Sequence, residues 1–220
     1  MSALVPNRFL FSFEFPLAYR KTLPTIDGPL KGWTTEQLLP RLGEIDDQPE
    51  FADVWVCWNE SGIAVACKVG GKKRPLRCDP KTYWKGDNLR LCIDMRDARM
   101  NKRATRYCQQ FFFLPTGGGP RGSKAAAGIG KFQRAREDAP SVSADKIYIA
   151  AKVTKTGYSL EAFIPAVCLN GFDPAEHSRI GLYYMLEDDD HGQQHLTIGD
   201  DLSWNVDPST WPTAVLKRSP

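Results

Sequence analysis

Carboxylates and histidines late in the chain are the side chains best suited to bind a metal ion. Glu187–Asp190 is an acidic run, and carboxylate oxygens are the ligands that Ca²⁺ prefers. Because the run lacks the spacing of an EF-hand loop, a solvated turn is favoured over a calcium site. His191 and His195 are four residues apart, which suits a shared metal ion only on a helix. Gly192 and the strand-like context argue against a helix, so neither a metal ion nor another cofactor is predicted, although calcium stays open.

Side chains that could act as nucleophiles show no catalytic arrangement. The chain contains no G-x-S-x-G sequence, and Gly117–Gly119 does not open a helix after a strand, as a phosphate-binding loop would. No pair of carboxylates stands in a distinctly apolar setting. Most cysteines fall within strand patterns, where they are typical small core residues. A non-catalytic protein is therefore predicted.

Basic side chains are concentrated in the segment Arg96–Arg106. Such a segment could contact phosphates, and Tyr107 and Phe111 follow it as a stacking surface for bases would require. Acidic residues interrupt the segment, and a net charge of +3 does not demand a phosphate partner. A solvated loop is favoured, and nucleic acid is not the expected partner. A protein- or nucleic-acid-interaction domain that uses loop 96–106 remains the alternative.

The composition is that of a globular protein. Of 220 residues, 42% are hydrophobic and 25% charged, which excludes a disordered or fibrous chain. The 16 prolines and 18 glycines favour many short strands over long helices. No signal peptide or membrane span is visible, so we expect a cytoplasmic protein, or a secreted one if the true start lies upstream. The six cysteines include no C-x-x-C pair and are expected to be reduced.

A β-hairpin is the clearest predicted element. Its strands cover residues 54–58 and 63–69, which alternate in polarity around the turn Asn59–Gly62. In the register that pairs the ends of the two strands, Cys57 and Cys67 lie on opposite faces of the sheet, so a disulfide between them is not expected.

The other strand predictions rest on the same alternation. In strand 89–94 the leucines and isoleucine are expected to point inward, and Arg90, Cys92 and Asp94 outward. Residues 115–128, with the sequence GGGPRGSKAAA at their centre, are predicted to be a flexible loop. One helical turn is expected near residues 36–39. The remaining strands are predicted at 9–15 (ended by Pro16), 107–114, 146–154, 157–165, 180–186 and 214–216. Together they predict one all-β domain over residues 1–220, an antiparallel β-sandwich.

The order of landmarks along the chain resembles a known family. The landmarks are Ile26-Asp27-Gly28, the strand ADVWVCWNE, Trp84-Lys85-Gly86-Asp87 before Cys92-Ile93-Asp94, Gly157-Tyr158-Ser159-Leu160-Glu161 before Ile164-Pro165, Ile180-Gly181, and Trp204 before Asp207-Pro208-Ser209. In this order they resemble the family 9 carbohydrate-binding modules and the wider DOMON-like sandwiches. The resemblance covers about residues 24–217 and implies a jelly-roll-like, immunoglobulin-like architecture of two sheets without catalytic residues.

The resemblance also implies a ligand site. Members of the family grip a sugar between two tryptophans, whose positions match Trp84 and Trp204. Indole faces stack well on the apolar C–H face of a pyranose. Arg90 stands where the family has a carboxylate, and Gln110 lies on the following strand. An arginine at that position suits an acidic or phosphorylated sugar better than a neutral one. The predicted function is non-catalytic binding of a sugar-like ligand through these four residues, with the interaction domain or a glycan-acting enzyme as alternatives and no membrane partner.

Overall fold

The computed structural model describes residues 13–43, 48, 50–197 and 203–218. Within these ranges the chain forms strands, turns and short 3-10 helices but no α-helix, and no helix there is long and apolar enough to cross a membrane. The described strands are β1 (Glu14–Tyr19), β2 (Ala52–Asn59), β3 (Gly62–Gly70), β4 (Asn88–Asp94), β5 (Cys108–Gly118), β6 (Lys124–Gly130), β7 (Tyr148–Thr154), β8 (Gly157–Pro165), β9 (Arg179–Asp188), β10 (Gly192–His195) and β11 (Thr213–Leu216).

The strands follow one continuous hydrogen-bonded path. Its order is β6-β5-β4-β9-β11-β1-β2-β3-β8-β7, and β10 pairs with β9. The path folds back so that β6 meets β7 and β5 approaches β7 and β8, which makes the sheet nearly closed around one core. The all-β prediction is confirmed. The antiparallel prediction is wrong for β1, which runs parallel to both of its neighbours, and the jelly-roll connectivity stays a prediction.

Strand β1 joins the two halves of the sheet. Its first four residues, from Glu14 to Leu17, pair with β11, and Ala18 and Tyr19 pair with β2. Pro16 was expected to end this strand, but it lies inside it. A proline fits an extended strand but has no N–H to donate to the ladder. The loss is tolerated here because Pro16 lies close to the point where β1 changes its partner strand from β11 to β2. Residues 9–12 of the predicted aromatic strand lie outside the described residues.

The β2–β3 hairpin has the predicted register. Trp58 pairs with Ile63, Val54 with Cys67 and Cys57 with Ala64, and both cysteines are free thiols. The predicted strands near 146–154, 157–165, 180–186 and 214–216 correspond to β7, β8, β9 and β11. The helical turn expected near 36–39 is a 3-10 turn at Thr35–Gln37 with a capping box.

Residues 115–128 differ from their prediction. They were expected to form a loop, but β5 continues to Gly118 and β6 begins at Lys124, so most of the segment forms an antiparallel hairpin. Only residues 119–123 connect the two strands. The glycines and alanines of β6 have low β-propensity, and the glycines are accommodated because Phe112 and Gln110 of β5 lie over them.

Candidate functional site

The outer face of strands β4, β5, β6 and β9 gathers the side chains predicted to bind ligand. Cross-strand partners lie on the same face of a sheet, and the register pairs Cys92 with Gln110 and Tyr183, and Arg90 with Phe112 and Met185. In β6, Gly130 pairs with Gln110 and Gly128 with Phe112. Arg90 and Gln110 therefore project from the same face of adjacent strands.

This face is covered, which contradicts one prediction. Arg90, Cys92 and Asp94 were expected to point outward, but every residue of β4 is buried. Tyr83, which stacks on Phe112, and Trp204, over which Arg90 lies, cover part of this face. Burial raises the pKa of the Cys92 thiol to about 12, so this cysteine is protonated near neutral pH and acts as a small packing residue.

Arg90 is held in the middle of this face. Its Nη2 donates to Glu187 Oε2 at 3.1 Å and lies 3.3 Å from Met185 Sδ. Its guanidinium carbon lies 5.1 Å from the centre of the Trp204 ring, a cation–π arrangement. Within the described residues its buried Nε has no hydrogen-bond partner. Arg90 is thus a fixed cation with one N–H still able to donate.

Tyr83 connects Gln110 to Trp84. The Tyr83 ring stacks on Phe112 with centroids 4.1 Å apart, and its hydroxyl donates to Gln110 Oε1 at 3.0 Å. Burial raises the pKa of the Tyr83 hydroxyl, so it keeps its proton for this bond. The Trp84 ring meets Tyr83 edge-on at 5.3 Å and is 48% exposed. It therefore offers an indole surface to a ligand.

Trp204 is not open to a ligand in this structure. It is only 1% exposed; Tyr183 stacks on it with centroids 5.0 Å apart, and Arg90 lies over its ring. Gln110 is buried as well. The structure thus brings the four predicted residues to one face but shows no open clamp between Trp84 and Trp204. A ligand that stacked on both indoles would first have to displace the guanidinium of Arg90.

Solved structures with the same arrangement of strands exist. Two structures of a family 9 carbohydrate-binding module (CBM9) from Caldicellulosiruptor kristjanssonii match the chain, one in complex with cellotriose and one with glucose. The cellotriose complex aligns with a TM-score of 0.64 and 15% identity, covering 94% of this chain and 95% of that one. The glucose complex aligns with a TM-score of 0.66 and 15% identity, covering 94% and 97%. The chain has a CBM9-like fold.

A third solved structure supports the same fold, whereas comparisons of the sequence alone find no match. A Bacteroides uniformis protein to which carbohydrate binding has been ascribed aligns with a TM-score of 0.59 and 11% identity, covering 93% of this chain and 99% of its own. No family model and no curated protein matches the sequence. At these identities the likeness concerns the fold, so the chemistry of the site has to be argued from its own residues.

The acidic run holds a buried ion cluster within the CBM9-like fold. It was predicted to be a solvated turn, but Asp188 is buried and Lys72 Nζ lies 2.8 Å from its carboxylate. The same ammonium lies 2.6 Å from Asp87 and 3.3 Å from Asp190. A lysine ammonium thus lies between Asp188 and Asp190, two of the carboxylates considered above as calcium ligands. In the described part of the chain, no three or more His, Cys, Asp or Glu side chains are grouped so that they could hold a metal ion.

The arginines of the basic loop 96–106 attach it to the rest of the CBM9-like fold, a role that the sequence did not indicate. The guanidinium carbon of Arg96 lies 4.2 Å from the centre of the Tyr107 ring, a cation–π contact. The guanidinium groups bind carbonyl or carboxylate oxygens of this chain: Arg96 donates to Gly171 O, Arg99 to Trp211 O, Arg103 to Arg134 O and Ala135 O, and Arg106 lies 3.6 Å from Glu137.

A substitution in β6 tests whether the position of Trp84 depends on the Tyr83–Phe112 ring stack. A Cβ at Gly128 would lie 2.1 Å from the Phe112 ring, so Gly128→Ala is expected to push Phe112 and its stacked partner Tyr83 outward. We expect a stability loss of about 1–3 kcal/mol in chemical denaturation and a shift in Trp84 emission. Gly70→Ala, whose Cβ would meet nothing within 4 Å, is the matched control. Equal effects of the two substitutions would contradict this account.

Proposed function

We propose that the chain is a non-catalytic carbohydrate-binding module whose ligand stacks on Trp84. The exposed indole of Trp84 on the outer face of the sheet carries this proposal. A half-exposed indole offers a flat apolar face, and a pyranose has the apolar C–H face that an indole accepts. The CBM9-like fold supports the choice of a sugar, since related modules are solved with cellotriose and glucose.

The polar partners of the sugar would come from the side chains close to Trp84 on this face. Tyr83 and Gln110 form one hydrogen-bonded pair there, and Arg90 retains a donor at Nε. Sugar hydroxyls can both donate to and accept from such groups. The full clamp would form only in the bound state, after Arg90 moves off the Trp204 ring. In the free protein Arg90 takes the place of the ligand on that ring.

Calorimetric titration of the wild type and Trp84→Ala tests the proposal. The ligands are glucose, cellotriose, glucuronate and glucose 6-phosphate, which cover neutral, acidic and phosphorylated sugars. Loss of the stacking surface should weaken binding at least tenfold, or about 1.5–3 kcal/mol. Calorimetry is preferred because the substitution removes a fluorophore.

Tyr148→Ala is the matched control, because it removes an exposed aromatic ring from β7. It should bind the same sugar as the wild type does. Affinity that survives in Trp84→Ala, or a wild type that binds no sugar of the panel, would overturn the proposal.

A further inference from the structure

A basic cavity lies between three turns of the fold. Its volume is ≈ 540 Å³, it is open to solvent, and it is bordered by the residues that follow β3, by the β5–β6 hairpin and by the β7–β8 turn. Among the described residues, five basic side chains and no acidic one line it: Lys72, Lys73, Arg74, Arg121 and Lys155. The chain as a whole has nearly balanced charges, 29 basic against 26 acidic residues, so this one-sided lining is a local feature.

Three of these cations have no counter-charge among the residues that the structure describes. Lys72 is neutralised by its aspartates, and Arg74 Nε lies 3.7 Å from Asp190. The side chains of Lys73, Arg121 and Lys155 are exposed and make no ion pair within the described ranges. Like charges brought together from separate turns repel each other, and a bound anion would relieve that repulsion.

The rest of the lining indicates which kind of anion fits. Pro75, Leu76 and Val153 contribute apolar surface, and the hydroxyls of Thr116 and Ser123 lie beside it. This combination matches a sugar ring with charged substituents, which presents C–H groups, hydroxyls and oxyanions together. No aromatic side chain of the described ranges lines the cavity, whereas single-stranded nucleic acid is usually held by stacking on aromatic rings.

The connection between β3 and β4 joins this cavity to the candidate sugar site. Lys73 and Arg74 lie near its beginning and Trp84 near its end. We propose that the basic cavity binds the sulfate or phosphate groups of an anionic glycan. The inference rests on the proposed carbohydrate function and adds the charge of the ligand to it.

Titration with charged and uncharged dextran tests this inference. The probes are sulfated, phosphorylated and unmodified dextran oligosaccharides of equal length, and an oligothymidylate. The variant is Lys73→Ala/Arg121→Ala/Lys155→Ala, and the charge-matched control is Lys102→Ala/Lys131→Ala/Lys152→Ala, which removes three exposed lysines elsewhere. Thermal unfolding confirms that both variants are folded.

The wild type should bind a charged dextran, with the sulfated and phosphorylated probes showing which oxyanion is preferred. Three lost ion contacts should weaken that binding about 10–100-fold in the cavity variant, while the control changes it less than threefold. Equal losses in both variants, absence of charged-dextran binding, or equally tight binding of oligothymidylate would overturn the inference. Trp84→Ala with neutral sugars reports separately on the proposed function, so either can fail while the other stands.

Discussion

Replacing Lys72 with methionine is expected to destabilise the protein by about 3–5 kcal/mol at neutral pH, because it leaves buried carboxylates without their counter-charge. The Lys72 ammonium lies 2.6 Å from Asp87 and 2.8 Å from Asp188, and all three side chains are buried. Although burial opposes its charge, hydrogen bonds to Asp188 and Asp87 raise the pKa of Lys72. Chemical denaturation of Lys72→Met measures the loss. Lys73→Met, which alters the exposed neighbour, should change stability by less than about 0.5 kcal/mol.

The loss in Lys72→Met should also depend on pH. In the wild type, burial raises the pKa of Asp188, but hydrogen bonds from Lys72 and from the Asp190 N–H outweigh this and leave it below the ordinary value. Burial raises the pKa of Asp87. Without the ammonium, both carboxyls should have pKa values above the unfolded value of about 3.9, so the variant is penalised increasingly as the pH rises beyond it. We expect a smaller difference from the wild type at acidic than at neutral pH.

A double substitution separates the charge from the packing. Lys72→Met/Asp87→Asn removes one buried negative charge together with the ammonium, so it should recover part of the lost stability. A double variant no more stable than Lys72→Met, with no pH dependence in either, would show that the cost comes from packing alone.

The elements that the sequence predicted well are those with strict alternation of polarity. The β2–β3 hairpin was placed to the exact residue pair because Val54–Trp58 and Ile63–Val69 alternate around a four-residue turn. Strand β6 was missed because its sequence, KAAAGIG, carries little β-propensity. Its glycines are needed because Phe112 and Gln110 lie directly over them. That reason depends on a neighbouring strand and is invisible in the segment itself.

Long-range contacts explain the remaining differences. Lys72 begins an unremarkable basic triplet, and its partners Asp87 and Asp188 are 15 and 116 residues away, so no local pattern distinguishes it from Lys73. Arg90 was predicted to point outward because alternation within one strand shows which side chains share a face. It does not show whether a distant segment covers that face. For Arg90 the covering residue is Trp204, which only the tertiary structure brings there.

Replacing Glu161 with alanine is the second substitution for which we expect a large loss, again about 3–5 kcal/mol. Glu161 is fully buried on β8, and its carboxylate accepts hydrogen bonds from the Gly28 N–H, from Asp27 N at 3.2 Å and from Trp33 Nε1 at 2.9 Å. Removing the carboxylate leaves three donors without their acceptor, of which the Gly28 N–H is buried and the other two are partly buried. A buried, unsatisfied group costs about 1–3 kcal/mol, and partly buried groups cost less. Since these donors all belong to the segment before β2, the substitution should loosen that segment from the sheet.

Glu161→Gln distinguishes the hydrogen bonds from the volume of the side chain. It keeps the shape but turns one acceptor oxygen into a donor, which would face another N–H, so we expect a loss of about 1–3 kcal/mol. Hydrogen exchange should accelerate at the amides of Asp27 and Gly28 in both variants. Glu137→Ala is the control, because that carboxylate is exposed and pairs only with Arg106 among the described residues. Unchanged exchange at Gly28 in Glu161→Ala would mean that other contacts hold the segment against the sheet.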